Sequence, residues 1–179
     1  MTKYVAFLRG IMPMNPNMRN EKLRGVFESL GFDNVQTVIA TGNVLFETGS
    51  KNSTALETAI EKVLPEQLGF TSTTIIRSRD QIQNLVNKNL FKGIPDTPNS
   101  RLNVTFLKNP PDIKLKFPFR PETKSYKLVG IYDCAVCSVI DLSGDKTPDF
   151  MSWLEKQFGK QITTRTWNTV GKILKKLNS

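Results

Sequence analysis

The sequence predicts an α+β protein, and three observations predict it. Hydrophobic periodicity across residues 4–77 runs strand, helix, strand, strand, helix, strand. That order is the split βαβ plan of a ferredoxin-like unit, an antiparallel sheet with both helices on one face. A stretch rich in Gly, Pro, Asn and Ser at residues 92–100 then leads into a second mixture of strands and helices. With 179 residues, 39% of them hydrophobic, the chain can bury the cores of two small packed subdomains. The expected division is an N-terminal ferredoxin-like subdomain over residues 1–78 and a C-terminal α/β subdomain over residues 79–179.

The first strand is the apolar run Val5–Leu8, which ends at Arg9-Gly10 and a loop rich in Pro and Asn. Leu23, Val26, Phe27 and Leu30 recur at three- and four-residue spacing, so Met18–Gly31 reads as a helix. Asn17 or Asn20 is its expected cap and Gly31 its C′ residue. Val35–Ile39, the Thr41-Gly42-Asn43 turn and Val44–Glu47 form a strand pair. A second helix opens at Asn52 or Ser53, buries Leu56, Ile60, Val63 and Leu64, and ends near Pro65–Gly69. Phe70–Arg77 is β-branched and closes the first sheet.

Ser78 or Asp80 caps a third helix over Gln81–Leu90, and Leu102–Leu107 is a strand. Ile113–Pro121, punctuated by lysine and proline, fits no regular element. Tyr126–Tyr132 and Cys134–Leu142 read as an antiparallel pair, and Phe150–Phe158 and Arg165–Leu177 as closing helices. No internal sequence repeat is visible.

Composition narrows the chemistry. Lys and Arg number 25 against 16 Asp and Glu, a net charge of +9, which favours contact with polyanions. The basic residues are spread along the chain, so a solubilising surface is the competing explanation. The absence of any histidine removes the commonest general base, the Ser-His and Cys-His pairs and most catalytic zinc sites. No apolar run approaches the length of a membrane span, and Arg9 interrupts the short apolar N-terminus, so no membrane partner is expected and the expected compartment is the cytoplasm. Cys134 and Cys137 have CxxC spacing but lie in a strand-like run, where positions three apart point to opposite faces. They are read as two reduced thiols, with no metal and no cofactor expected.

Four segments recur in an order that resembles a known family: Leu8-Arg9-Gly10-Ile11, the helix to Leu30-Gly31-Phe32, Thr41–Phe46, and Thr163–Ile173. They are similar to the uncharacterised domain-of-unknown-function family 1697. That family carries Leu-Arg-Gly-Ile-Asn before two glycines, then Ser-Gly-Asn-Val, and a C-terminal Thr-Arg-Asn-Trp-Asn-Thr-Val. The resemblance implies two ferredoxin-like subdomains and no established activity. Here Met12 stands in the place of the Asn, Pro13-Met14 in that of the glycines, and Thr166 in that of the Asn before Trp167. Loss of glycines at a strand-to-helix turn weakens a phosphate-loop reading, because glycine lets backbone N–H groups approach an anion closely.

The candidate ligand-binding residues are Arg9, Asn15, Asn17 and Arg19 in the first loop, with Arg165 and Asn168 at the expected start of the last helix. Arginine can clamp a carboxylate or phosphate in bidentate fashion, and helix N-termini attract anions. Each arginine could equally pair with an internal acid. Lys172, Lys175 and Lys176 suit a helix C-terminus, where the dipole already favours cations. Phe46 lies where RNA-recognition sheets carry stacking rings, but only Tyr4 and Phe7 accompany it, so core packing is the better reading. These features support a non-catalytic binding module for an anionic ligand, either nucleic acid or a phosphorylated small molecule. The alternative is a histidine-free enzyme acting on a small molecule in the cleft between subdomains.

Overall fold

The computed structural model describes residues 1–122, 125–144 and 149–179. They form two antiparallel four-stranded sheets and five α-helices. The chain divides into two compact units, residues 1–83 with 171–179, and residues 84–170.

In the first unit the elements are β1 (Thr2–Leu8), α1 (Asn20–Ser29), β2 (Asp33–Thr37), β3 (Asn43–Thr48), α2 (Ser53–Leu68) and β4 (Thr74–Ser78). The sheet order is β2-β3-β1-β4, with β1 antiparallel to both neighbours. β1 is buried on both faces from Tyr4 to Leu8, which explains why it reads as a continuous apolar run rather than an alternating one. One face carries Tyr4, Ala6, Leu8, Val44, Phe46 and Ile76 under Leu23, Phe27, Ile60 and Leu64 of the two helices. Phe46 stacks on Tyr4 and Phe32 and meets Phe27 edge-on, so it is a core ring and offers no face to a base.

Helix boundaries follow local chemistry. A 3₁₀ turn at Pro16–Met18 precedes α1, and the N-cap is Arg19, whose side chain makes no cap bond; Asn17 and Asn20 bond elsewhere. Asn52 caps α2 through its side chain, and Gly69, at φ +76°, closes it. Ser78 opens α3 (Arg79–Asn87) with a reciprocal pair: Gln81 N donates to Ser78 Oγ, and Ser78 N donates to Gln81 Oε1.

The second unit holds β5 (Ser100–Leu107), β6 (Tyr126–Tyr132), β7 (Ala135–Asp141), α4 (Phe150–Phe158) and β8 (Ile162–Thr166), in the order β6-β7-β5-β8. β8 corrects the sequence reading: Arg165 is not at the start of a helix but in this strand, and α5 runs from Trp167 to Leu177. Thr105 Oγ1 and Thr164 Oγ1 bond at 2.8 Å across the strands, and Arg165 lies in register against Val104. Among the described residues between β5 and β6 there is no helix, and Leu115 and Phe119 pack on the core beside Tyr126, Leu128 and Leu154.

The two units repeat one plan, as the resemblance implies, although no internal repeat is visible in the sequence. Val5-Ala6-Phe7-Leu8 and Val104-Thr105-Phe106-Leu107 are equivalent central strands. Leu8 N donates to Gly42 O and Leu107 N to Cys134 O, each at 2.8 Å. Arg9 N donates to Thr73 O and Lys108 N to Gln161 O, each at 3.0 Å. Val5 pairs with Arg77 and Val104 with Arg165, and both arginines are buried and donate to the carbonyl of the preceding residue. Ser78 and Thr166 follow them and each caps the next helix.

β4 is an edge strand, and α2 closes that edge. Glu61 Oε1 accepts from Thr74 N at 2.8 Å, and Glu57 Oε1 accepts from Ile76 N at 2.9 Å. Carboxylates four residues apart on a helix thus satisfy amides two residues apart on a strand. Glu57 is 5% exposed, so its removal leaves a buried amide without its acceptor. Glu57→Ala should cost about 1–3 kcal/mol, measured as a lower denaturation midpoint with an unchanged slope.

Candidate functional site

The first-loop candidates sit together at the C-terminal end of β1. Arg9 anchors the loop by its backbone: its N donates to Thr73 O and its O accepts from Ser72 Oγ at 2.7 Å. Asn15 Oδ1 accepts from Asn17 N, and Asn17 Nδ2 donates to Leu68 O at 3.2 Å, so both asparagines hold the loop in shape. Arg19 is exposed. Arg165 and Asn168 belong to different elements of the second unit. Arg165 is buried, donates to Thr163 Oγ1 and Thr164 O, and burial pulls its pKa down to about 10. Asn168 lies exposed in the first turn of α5, where Thr166 makes the cap.

The turn between β2 and β3 is the most constrained part of the first unit. Asn43, fully buried, donates through Nδ2 to Val38 O at 2.9 Å and Thr41 Oγ1 at 3.1 Å, while its O accepts from Val38 N. Asn20 Nδ2 holds Ile39 O from the other side at 3.2 Å. Gly42, at φ +78°, lies so close to the first loop that a Cβ there would meet Ile11 Cγ1 at 2.6 Å and Leu8 O at 2.9 Å. Between these ties Ile39 is forced to φ +59°, a left-handed conformation that a β-branched residue adopts at a cost.

Beside this turn lies a groove that sequence reasoning did not single out. Thr37, Val38 and Ile39 line it with Lys172, Lys175, Lys176 and Ser179, around a cavity of about 480 Å³. The three lysines are exposed and share one face of α5, since residues three and four apart align on a helix. Thr169, Val170, Ile173, Leu174 and Leu177 are the buried residues of the same helix. Lys176 Nζ donates to Thr37 O at 3.3 Å, and Arg24 Nη1 donates to Thr37 Oγ1 at 3.2 Å. Lys3 Nζ, donating to Leu177 O at 3.2 Å, holds the helix end on the sheet. No acidic side chain lines the groove. The lysine spacing was readable in the sequence; the return of α5 to Thr37 was not.

Cys134 and Cys137 are unbridged, and burial pushes the Cys137 thiol up to about 12. Among the described residues, no cluster of three or more Cys, Asp or Glu could hold a metal ion, and no helix is long and apolar enough to cross a membrane.

Fold and groove together define an α+β protein of two ferredoxin-like units with a cationic surface cleft in the first. The chain belongs to the family described as protein of unknown function (DUF1697), whose model matches residues 1–131. Its fold is similar to that of the conserved bacterial protein SP0830 from Streptococcus pneumoniae, with a TM-score of 0.73 at 19% identity over 100% of this chain and 99% of that one. No curated protein matches the sequence.

Two outcomes check this geometry. Gly42→Ala should lower stability by about 2 kcal/mol or more, because it adds left-handed strain to a contact with a backbone oxygen; the denaturant midpoint reads it. With a thiol-specific chromogenic reagent near pH 8, about one thiol per folded chain should react, and the second only after unfolding, because Cys137 is both buried and held as the unreactive thiol.

Proposed function

We propose that the protein is a non-catalytic binding module for an anionic ligand, and that the ligand enters the lysine groove beside β2. The observation that carries this reading is the arrangement of Lys172, Lys175 and Lys176 on one helix face over Thr37–Ile39, with Arg24 beside them and no acidic side chain in the lining. Cations held together without a neutralising partner set up a local positive potential that attracts anions. Arg9 and Arg19 are assigned as flanking cations at the end of β1, and Asn15 and Asn17 as the residues that shape their loop. Arg165 and Asn168 are assigned to holding β8 and the start of α5. Two unbridged cysteines fit the reducing cytoplasm as its compartment.

The groove brings no aromatic ring to the ligand, so contacts to charge rather than base stacking drive binding. Titration with labelled oligothymidylate, inorganic tripolyphosphate and polyglutamate at about 50 and 200 mM salt tests the reading. Binding of at least one of them should weaken steeply with salt. The double variant Lys172→Glu/Lys175→Glu should lose at least about tenfold in affinity and flatten the salt slope, with its thermal unfolding unchanged. No binding tighter than about 10⁻⁴ M to any of the three retires the proposal.

A further inference from the structure

The groove does not stand alone on its surface. Ile39, which lines it, is 43% exposed, and the first loop presents Met12 at 58% and Met14 at 91%. Loop and turn are joined through the contact space between Ile11 and Gly42 and through the bond from Asn20 to Ile39 O. This face therefore offers three large apolar side chains next to a group of cations. Residues 9–24, 37–47 and 171–179 together carry Arg9, Arg19, Lys22, Arg24, Lys172, Lys175 and Lys176 against Glu21 and Glu47, a surplus of five.

Resting on the anion-binding reading of the same face, we propose that its occupant is an acidic protein segment carrying aliphatic anchors. The carboxylates meet the lysines, and the apolar side chains pack on Ile39, Met12 and Met14. Three features select this partner. Apolar patches rimmed by charge mark protein contacts, and methionine, flexible and polarisable, suits surfaces that adapt to a partner. The exposed apolar groups are aliphatic, which fits leucine-like anchors better than nucleobases, whose recognition relies on stacking. Ile39 keeps a left-handed backbone although Asn would hold that conformation without strain, and strain of this kind is retained where the side chain is used.

Two synthetic peptides of equal charge test the proposal: four repeats of Glu-Leu-Asp-Leu and four of Glu-Ser-Asp-Ser, with oligothymidylate and phosphatidylserine vesicles as comparators. The leucine peptide should bind at least about tenfold more tightly than the serine peptide. Met12→Ser/Met14→Ser and, separately, Ile39→Asn should each shrink that ratio while leaving serine-peptide binding as it was. Ile39→Asn should also raise the melting temperature by about 2–4 °C, so its loss of preference is not a loss of fold. Equal affinity for the two peptides overturns the apolar-anchor proposal and leaves the anion-binding module standing. Binding of oligothymidylate or vesicles without either peptide overturns it in favour of that partner. Failure of every probe removes both readings.

Discussion

Two carboxylates on α2 hold the first sheet shut at one side, and the two edges of that sheet are treated differently. An edge strand presents unpaired N–H and C=O groups and invites pairing with another chain. At β4 the amides of Thr74 and Ile76 are taken by Glu61 and Glu57, so the edge is closed without a further strand. The opposite edge, β2, receives no such cover. A register shift lies between Asp33 and Gln36, and Asn34 adopts φ +49°, irregularities that shorten the ladder another strand could extend. What borders β2 instead is cationic, with Arg24 and Lys176 bonding to Thr37. Two of the three acids of this unit's second helix hold structure at one edge, and the lysines of the last helix are exposed at the other.

The same plan appears in both units with partly different fillings: Leu8 and Val44 have apolar equivalents in Leu107 and Val136, but other positions differ. On the helix-covered face of the first unit, Tyr4, Ala6, Phe46 and Ile76 are apolar. The equivalent register positions in the second unit are Asn103, Thr105, Ser138 and Thr164. Thr105 and Thr164 satisfy each other, Thr164 also donates to Met151 Sδ at 3.3 Å, and Thr166 bonds Thr169. Ser138 Oγ is buried and finds no partner among the described residues. A buried hydroxyl without a partner carries its desolvation cost uncompensated.

How much of this was legible in the sequence depended on whether the cause was local. The central strand, the caps at Asn52 and Ser78 and the closing glycines at 31 and 69 rest on short-range chemistry and were readable. β8 was not, because Thr163–Thr166 gains its extended form from cross-strand bonds to β5 rather than from a pattern of its own. The internal repeat was hidden for a related reason. Equivalent residues lie at different separations, from Val5 to Val104 but from Arg77 to Arg165, since the segments between them differ in length. Arg165 looked like a ligand-binding residue because a lone cation before a helix suggests an anion site; its burial shows the cost a strand interior can absorb when the guanidinium finds a threonine hydroxyl and a carbonyl.

The groove was illegible for a different reason: every residue in it had an adequate local explanation. Lysines in a last helical turn satisfy the helix dipole, and Val38 and Ile39 continue a strand into a turn. Only the tertiary arrangement, with Lys3 and Lys176 tying α5 across the sheet, places those lysines over the turn. Ile39 adds what no local account supplies. Asn43 holds the carbonyl of Val38 and Asn20 that of Ile39 itself, so the tip is tied on both sides while its side chain stays partly exposed. A residue type that fits the conformation badly, at a site built to impose that conformation, costs stability in every folded molecule. Such a cost is tolerated when the rigid presentation of the side chain saves ordering entropy on binding, because a preorganised contact has less freedom left to lose. Under the proposed docking of an acidic segment, the rigidity of this turn and the misfit of its tip describe one device, in which folding stability is exchanged for a surface already ordered for binding.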